Sequence, residues 1–152
     1  MENKTVTAES VQKLREVTGA GVMDCRKALI ETNGDFDAAV RVIHEKGIAK
    51  VEKRSGRETG AGLVETYVHN ERIGVLVSLS AETDFVVRSE PFKALAHDIA
   101  MQIAAAAPAT TEELLAQPFI RDESKTVKDL VNTVIAKVGE NVSVNQFYRI
   151  EV

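Results

Sequence analysis

The chain has 152 residues, 44% of them hydrophobic, and a formal net charge of −4. That length makes one ordinary domain, or a small domain joined to a medium one, and the apolar content excludes wholesale disorder. The acidic balance gives no global electrostatic case for DNA or an anionic membrane. The lone cysteine, Cys25, has no partner for an intrachain disulfide, no apolar run is long enough to span a bilayer, and Met1-Glu2-Asn3-Lys4 lacks a signal-peptide apolar region. A soluble cytoplasmic protein is expected.

Residues 1–55 read as three short helices. Thr7 caps the first, which carries Val11, Leu14 and Val17 on one face. Thr18-Gly19-Ala20-Gly21 breaks it, and a second helix follows with Val22, Cys25 or Arg26, and Leu29 near one side. Asn33-Gly34 stops that helix and Asp35 caps the third, whose stripe is Phe36, Ala39, Val40 and Ile43 before Gly47. Lys46, Lys50, Lys53, Arg54 and Arg57 then form a basic run leading into the small, polar residues 56–62, a linker. The basic run reads as a solvated helix end rather than a phosphate site.

Residues 63–152 read as an α+β domain. Leu63 to His69 and Ile73 to Ala81 make a hairpin around Asn70-Glu71-Arg72. Glu82-Thr83-Asp84-Phe85-Val86 follows on a short polar connection. From this segment alone Phe85 is expected to close the core at a strand–helix corner; if it cannot turn inward, it is a probe for a pocket on another molecule. A helix runs from about Ser89 to Ala106 with Phe92, Leu95, Ala96, Ile99 and Ile103 on one stripe. Thr110 and Glu113 offer a capping box for a short helix ending near Pro118. Ser124 or Thr126 opens a helix carrying Val127, Leu130, Val131, Val134, Ile135 and Val138, ended by Gly139. Val142 to Val152 closes the chain as a strand with Val142, Val144, Tyr148, Ile150 and Val152 on one face, paired with the hairpin into a three-stranded antiparallel sheet covered by helices.

No catalytic constellation is apparent. His44, His69 and His97 lie far apart and none stands at ligand spacing with another His or Cys. Gly19-Ala20-Gly21 lacks the Lys-Ser/Thr of a phosphate-binding loop, and the glycines from Gly56 to Gly62 precede a strand instead of a helix. Asp24-Cys25 with His44 could be imagined as a nucleophile pair, but a lone cysteine in a small bundle is more often an apolar filler. The chain is expected to work by contact, as a non-enzyme needing no cofactor or metal.

Three segments carry a resemblance. Leu14 to Leu29, with Thr18-Gly19-Ala20-Gly21-Val22-Met23-Asp24-Cys25-Arg26-Lys27 at its centre, resembles the N-terminal signature of the elongation factor Ts family. Glu82-Thr83-Asp84-Phe85-Val86 resembles its second signature, and Val138-Gly139-Glu140-Asn141-Val142-Ser143-Val144 running into Phe147 to Val152 looks like the end of its core domain. The family consists of guanine-nucleotide exchange factors for the translational GTPase elongation factor Tu. The resemblance implies a ubiquitin-associated-like N-terminal module and partner binding in the GDP-bound and nucleotide-free states. It implies that Phe85, with Asp84 beside it, inserts near the magnesium and phosphate site of the GTPase, while Arg15, Val22 and Met23 rest on the GTPase domain. Val22, Ala81 and Ser89 stand where the family often has Met, Cys and Asn. Longer members have a second core subdomain, so a homodimer through the core domain is expected to stand in for it, as a short open sheet favours. Three rivals remain: a non-exchanging protein-binding adaptor with a ubiquitin-associated-like module, an RNA binder using Lys46 to Arg57, and an enzyme using Cys25.

Overall fold

The computed structural model describes residues 6–152, so Met1-Glu2-Asn3-Lys4 lies outside the described residues. The chain divides between Lys53 and Arg54 into two compact units. The first holds α1 (Ala8–Thr18), α2 (Val22–Glu31) and α3 (Phe36–Arg54) up to that boundary. Thr7 caps α1 as expected: its hydroxyl accepts from Ser10 N–H at 3.1 Å, while Ser10 Oγ accepts from Thr7 N–H. Gly19, with φ 68°, turns the chain out of α1, and Asp35 Oδ1 accepts from Ala38 N–H at 2.9 Å to open α3. Val11, Leu14, Cys25, Ala28, Leu29 and Ala39 form the buried centre.

Two expectations for this unit need correction. Val17 is exposed, so the apolar stripe of α1 ends one turn earlier, at Leu14. Gly47 does not stop α3, which continues through the basic run to Arg54. A mid-helix glycine costs roughly 1 kcal/mol relative to alanine; ion pairs from Lys46 to Glu31 and from Lys50 to Asp24 tie this stretch of α3 to α2.

The second unit opens with β1 (Ala61–His69) and β2 (Ile73–Ala81), an antiparallel hairpin with His69 opposite Ile73. There follow α4 (Asp84–Val87), α5 (Glu90–Ala106), α6 (Thr111–Ala116), the small hairpin β3 (Pro118–Phe119) and β4 (Asp122–Thr126), α7 (Val127–Val138) and β5 (Val142–Glu151). The sheet order is β1-β2-β5, all antiparallel, with β2 central. Val75, Val77 and Leu79 point inward toward α5, which buries Phe92, Leu95, Ala96, Ile99, Ala100 and Ile103. Removing one such large aliphatic or aromatic side chain from water is worth about 1.5–3 kcal/mol. The fold is thus α+β, helices followed by a three-stranded antiparallel sheet packed with helices, as the sequence predicts.

The short elements depart from expectation in detail. Glu113 accepts from Ala109 N–H rather than from Thr110, so only the Thr110 half of the predicted capping box forms. Thr126, not Ser124, caps α7, in a reciprocal box with Asp129. The β3–β4 hairpin was not expected; buried Gln102 steadies its approach by donating to Gln117 Oε1 and Pro118 O and accepting from Ile120 N–H.

The largest correction concerns β5. Ser78 faces Gln146 but Leu79 faces Val144, leaving Asn145 as an extra residue in a bulge. Asn145 Nδ2 donates to Ser80 Oγ at 3.2 Å beside it. An added residue moves the side chains beyond it to the opposite face. Val142 therefore points into the core, whereas Tyr148, Ile150 and Val152 are exposed, and the five residues do not share one face. Arg149 turns inward instead, where Nε and Nη2 donate to Ala104 O at 3.2 and 3.0 Å in the last turn of α5. A cation at a helix C-terminus satisfies a carbonyl that lacks an intrahelical partner.

Candidate partner-binding site

Phe85 lies in α4, a single helical turn. Thr83 is its N-cap; its hydroxyl faces Val86 N–H at 3.5 Å, and Val87 N–H donates to Thr83 O at 3.3 Å. Successive helical residues are about 100° apart, so a four-residue turn has two roughly opposed sides. Val86 and Val87 take the buried side, and Phe85 is left 86% exposed. The expectation that Phe85 closes the core is overturned: its neighbours in sequence occupy the inward positions. Asp84 begins the turn, where a carboxylate suits the helix N-terminus.

The base of this turn is tied to the start of β5. Ala81 and Val142 are the last paired residues of β2 and β5 at this end. Beyond them two glutamates reach across in opposite directions. Glu82 Oε1 accepts from Asn141 N–H at 2.7 Å. Glu140 Oε2 accepts from Thr83 N–H at 3.0 Å, and its Oε1 accepts from the Thr83 hydroxyl at 2.8 Å. Arg57 stands 3.6 Å from Glu82 Oε2, and its carbonyl accepts from Asn141 Nδ2 at 2.8 Å. Arg54 Nε donates to Gly139 O at 2.7 Å. The sequence gives none of Glu140, Asn141, Arg54 or Arg57 a supporting role here: Glu140 and Asn141 appear only within the segment that resembles the end of the core domain, just after the Gly139 helix stop, and Arg54 and Arg57 only in the basic run.

Arg15, Val22 and Met23 belong to the first unit, on either side of the turn at residues 18–21. Arg15 is exposed in the last turn of α1, while Val22 and Met23 open α2 with exposures of 49% and 58%. Exposed apolar residues in a helix's first turn, beside a glycine turn, are free for contact. One residue later, Asp24 Oδ2 accepts from Lys50 Nζ at 2.8 Å, and that hydrogen bond holds its carboxyl below the ordinary carboxylate range. Cys25 is fully buried among apolar neighbours. Among the described residues no cluster of His, Cys, Asp or Glu could hold a metal ion, and no helix is long and apolar enough to cross a membrane.

The family model described as Elongation factor TS matches residues 82–152, starting at Glu82 and taking in Glu140 and Asn141. An elongation factor Ts from Fervidobacterium nodosum is 39% identical, with 97% of this chain and 98% of the relative covered. The chain belongs to the elongation factor Ts family. Other elongation factor Ts relatives include those of Desulforamulus reducens, 41% identical with 96% of this chain and 88% of the relative covered, and of Clostridium tetani, 45% identical with 97% and 49% covered. The Fervidobacterium alignment spans 193 positions against 152 residues here, so that elongation factor Ts carries at least 41 (193 − 152) positions within the matched span that have no counterpart in this chain.

Proposed function

We propose that this protein accelerates GDP release from elongation factor Tu in the cytoplasm, by docking and without covalent chemistry. Phe85, with Asp84 beside it, enters the GTPase near its magnesium and phosphate site, while Arg15, Val22 and Met23 rest on the GTPase domain. The observation that carries this reading is a large aromatic side chain held 86% exposed on a capped turn. Membership of the elongation factor Ts family supplies the partner.

Linkage sets the thermodynamics. The protein binds the nucleotide-free GTPase more tightly than the GDP-bound form, and GDP weakens that binding by the same factor. Burial of one Phe side chain yields about 1.5–3 kcal/mol, equivalent to about one or two orders of magnitude in rate. Wider contacts supply the rest. Loosening magnesium or a phosphate-binding peptide removes strong electrostatic contacts to GDP, which gives a small intrusion a long lever.

Stopped-flow release of fluorescent GDP from elongation factor Tu tests this, with wild type and Phe85→Ala side by side. Acceleration by wild type that largely disappears in the variant supports insertion. Binding by folded wild type without faster release replaces exchange with the passive adaptor.

We further propose that a second copy covers the outward sheet face. Val64, Val68, Leu76, Tyr148, Ile150 and Val152 are all exposed. The strand register places Leu76 between Thr66 and Tyr148, and Gly74 between Val68 and Ile150. Apolar surface of this extent on one face favours association.

A further inference from the structure

We propose that Glu140 is a positioning residue for exchange, acting through Thr83 to hold the turn that presents Phe85; this rests on the insertion reading above. The Val138-to-Val144 stretch has no partner-contacting role in that reading, yet it lies against the Phe85 turn. Glu140 uses both carboxylate oxygens on one residue, accepting from the backbone N–H and from the hydroxyl of Thr83 at 3.0 and 2.8 Å. A hydroxyl that donates to Glu140 turns its lone pairs elsewhere, and they face Val86 N–H at the start of α4. The carboxylate therefore selects the Thr83 rotamer that caps the turn. Glu82 returns the arrangement by accepting from Asn141 N–H at 2.7 Å, so each glutamate satisfies a backbone donor of the other segment.

This continues the β2–β5 ladder past its last backbone pair, with side chains in place of carbonyls. A four-residue helical turn has almost no stability of its own, since nucleation is unfavourable and few bonds repay it. Val86 and Val87 anchor its inner side. Val87 and Arg88 N–H close the turn on Thr83 O and Asp84 O, and Ser89 Oγ donates to Val86 O at its far end; the Glu140 clasp is the anchor that reaches its N-cap from another segment of the chain. A rigid Phe85 docks without first losing conformational freedom, which is what preorganisation contributes to binding.

The chain contains no tryptophan, so Phe85→Trp places a single tryptophan at the tip, excited at the red edge where Tyr67 and Tyr148 do not absorb. Time-resolved anisotropy of this variant, free in solution, is compared with the same variant carrying Glu140→Ala. A faster local decay with the overall tumbling time unchanged is expected; an unchanged local decay overturns the clasp whether or not the protein exchanges nucleotide. Exchange is then measured in a double-mutant cycle. Glu140→Ala is expected to slow GDP release about tenfold, equal to about 1.4 kcal/mol, to restore part of the rate as Glu140→Gln, and to add nothing in a Phe85→Ala background. An additive loss overturns the proposal, because Glu140 then acts independently of Phe85. If Phe85→Ala alone leaves exchange intact, the insertion reading fails and the positioning role fails with it, while the anisotropy still reports whether the clasp fixes the turn.

Discussion

Lys50 Nζ in α3 lies 2.8 Å from Asp24 Oδ2 in α2, closing the first unit across 26 residues of sequence. Both side chains remain over one-third exposed, so the pair is worth at most about 1 kcal/mol. The hydrogen bond from Lys50 lowers the Asp24 pKa below its ordinary value of 3.8. The contribution is thus complete above the unfolded-state value and lost as pH falls through the lower, folded value. Asp24→Asn should lower the urea midpoint at pH 7 and make no difference once the pH lies well below 3.8. Equal destabilisation at both pH values would assign the effect to packing instead of charge.

Gly62 is required by space. A Cβ placed there would lie 2.7 Å from Leu79 O, a backbone atom in the paired strand. Gly62→Ala must push β1 from β2 at a point where the ladder cannot yield cheaply. A loss of about 1–3 kcal/mol is expected in denaturant unfolding, in the range of other overpacking substitutions.

The outward sheet face predicts reversible self-association. Sedimentation velocity over a concentration series should show dimers that dissociate on Tyr148→Glu or Ile150→Lys with unchanged circular dichroism. A monomer at every concentration would leave that face without a second copy.

Cys25→Ser should leave GDP release nearly unchanged. The thiol is completely buried, 3.8 Å from Ala20 O and 3.9 Å from Thr18 Oγ1. It should react with iodoacetamide only on unfolding. Rapid labelling of the native protein with loss of activity would revive the enzyme reading.

Much of the fold was legible because local chemistry and tertiary structure agree. Thr7, Asp35 and Thr126 cap helices where their side chains suit that task. The hairpin forms around Asn70 and Glu71, whose φ values of 48° and 59° bring the strands back together. What sequence missed was set by partners distant along the chain. Gly47 stays helical within a helix held by ion pairs to α2. Phe85 stays outside because Val86 and Val87 fill the interior at that corner. Alternation along β5 could not disclose one unpaired residue, and without Asn145 the pattern assigns the wrong face to its outer half. The resemblance marked Asp84 and Phe85, but the carboxylate that braces their turn, Glu140, lies 57 residues from Thr83 along the chain.

The bulge makes β5 two half-strands of opposite parity joined at one hinge residue. Its first half serves the interior, and its second half offers aromatic and aliphatic surface to the surroundings. Deleting Asn145 would shorten the chain by a single residue, yet it would drive Tyr148 and Ile150 toward α5 and expel Phe147 and Arg149. For this strand a one-residue deletion is an inversion, and reading frame matters within the protein as it does within a message.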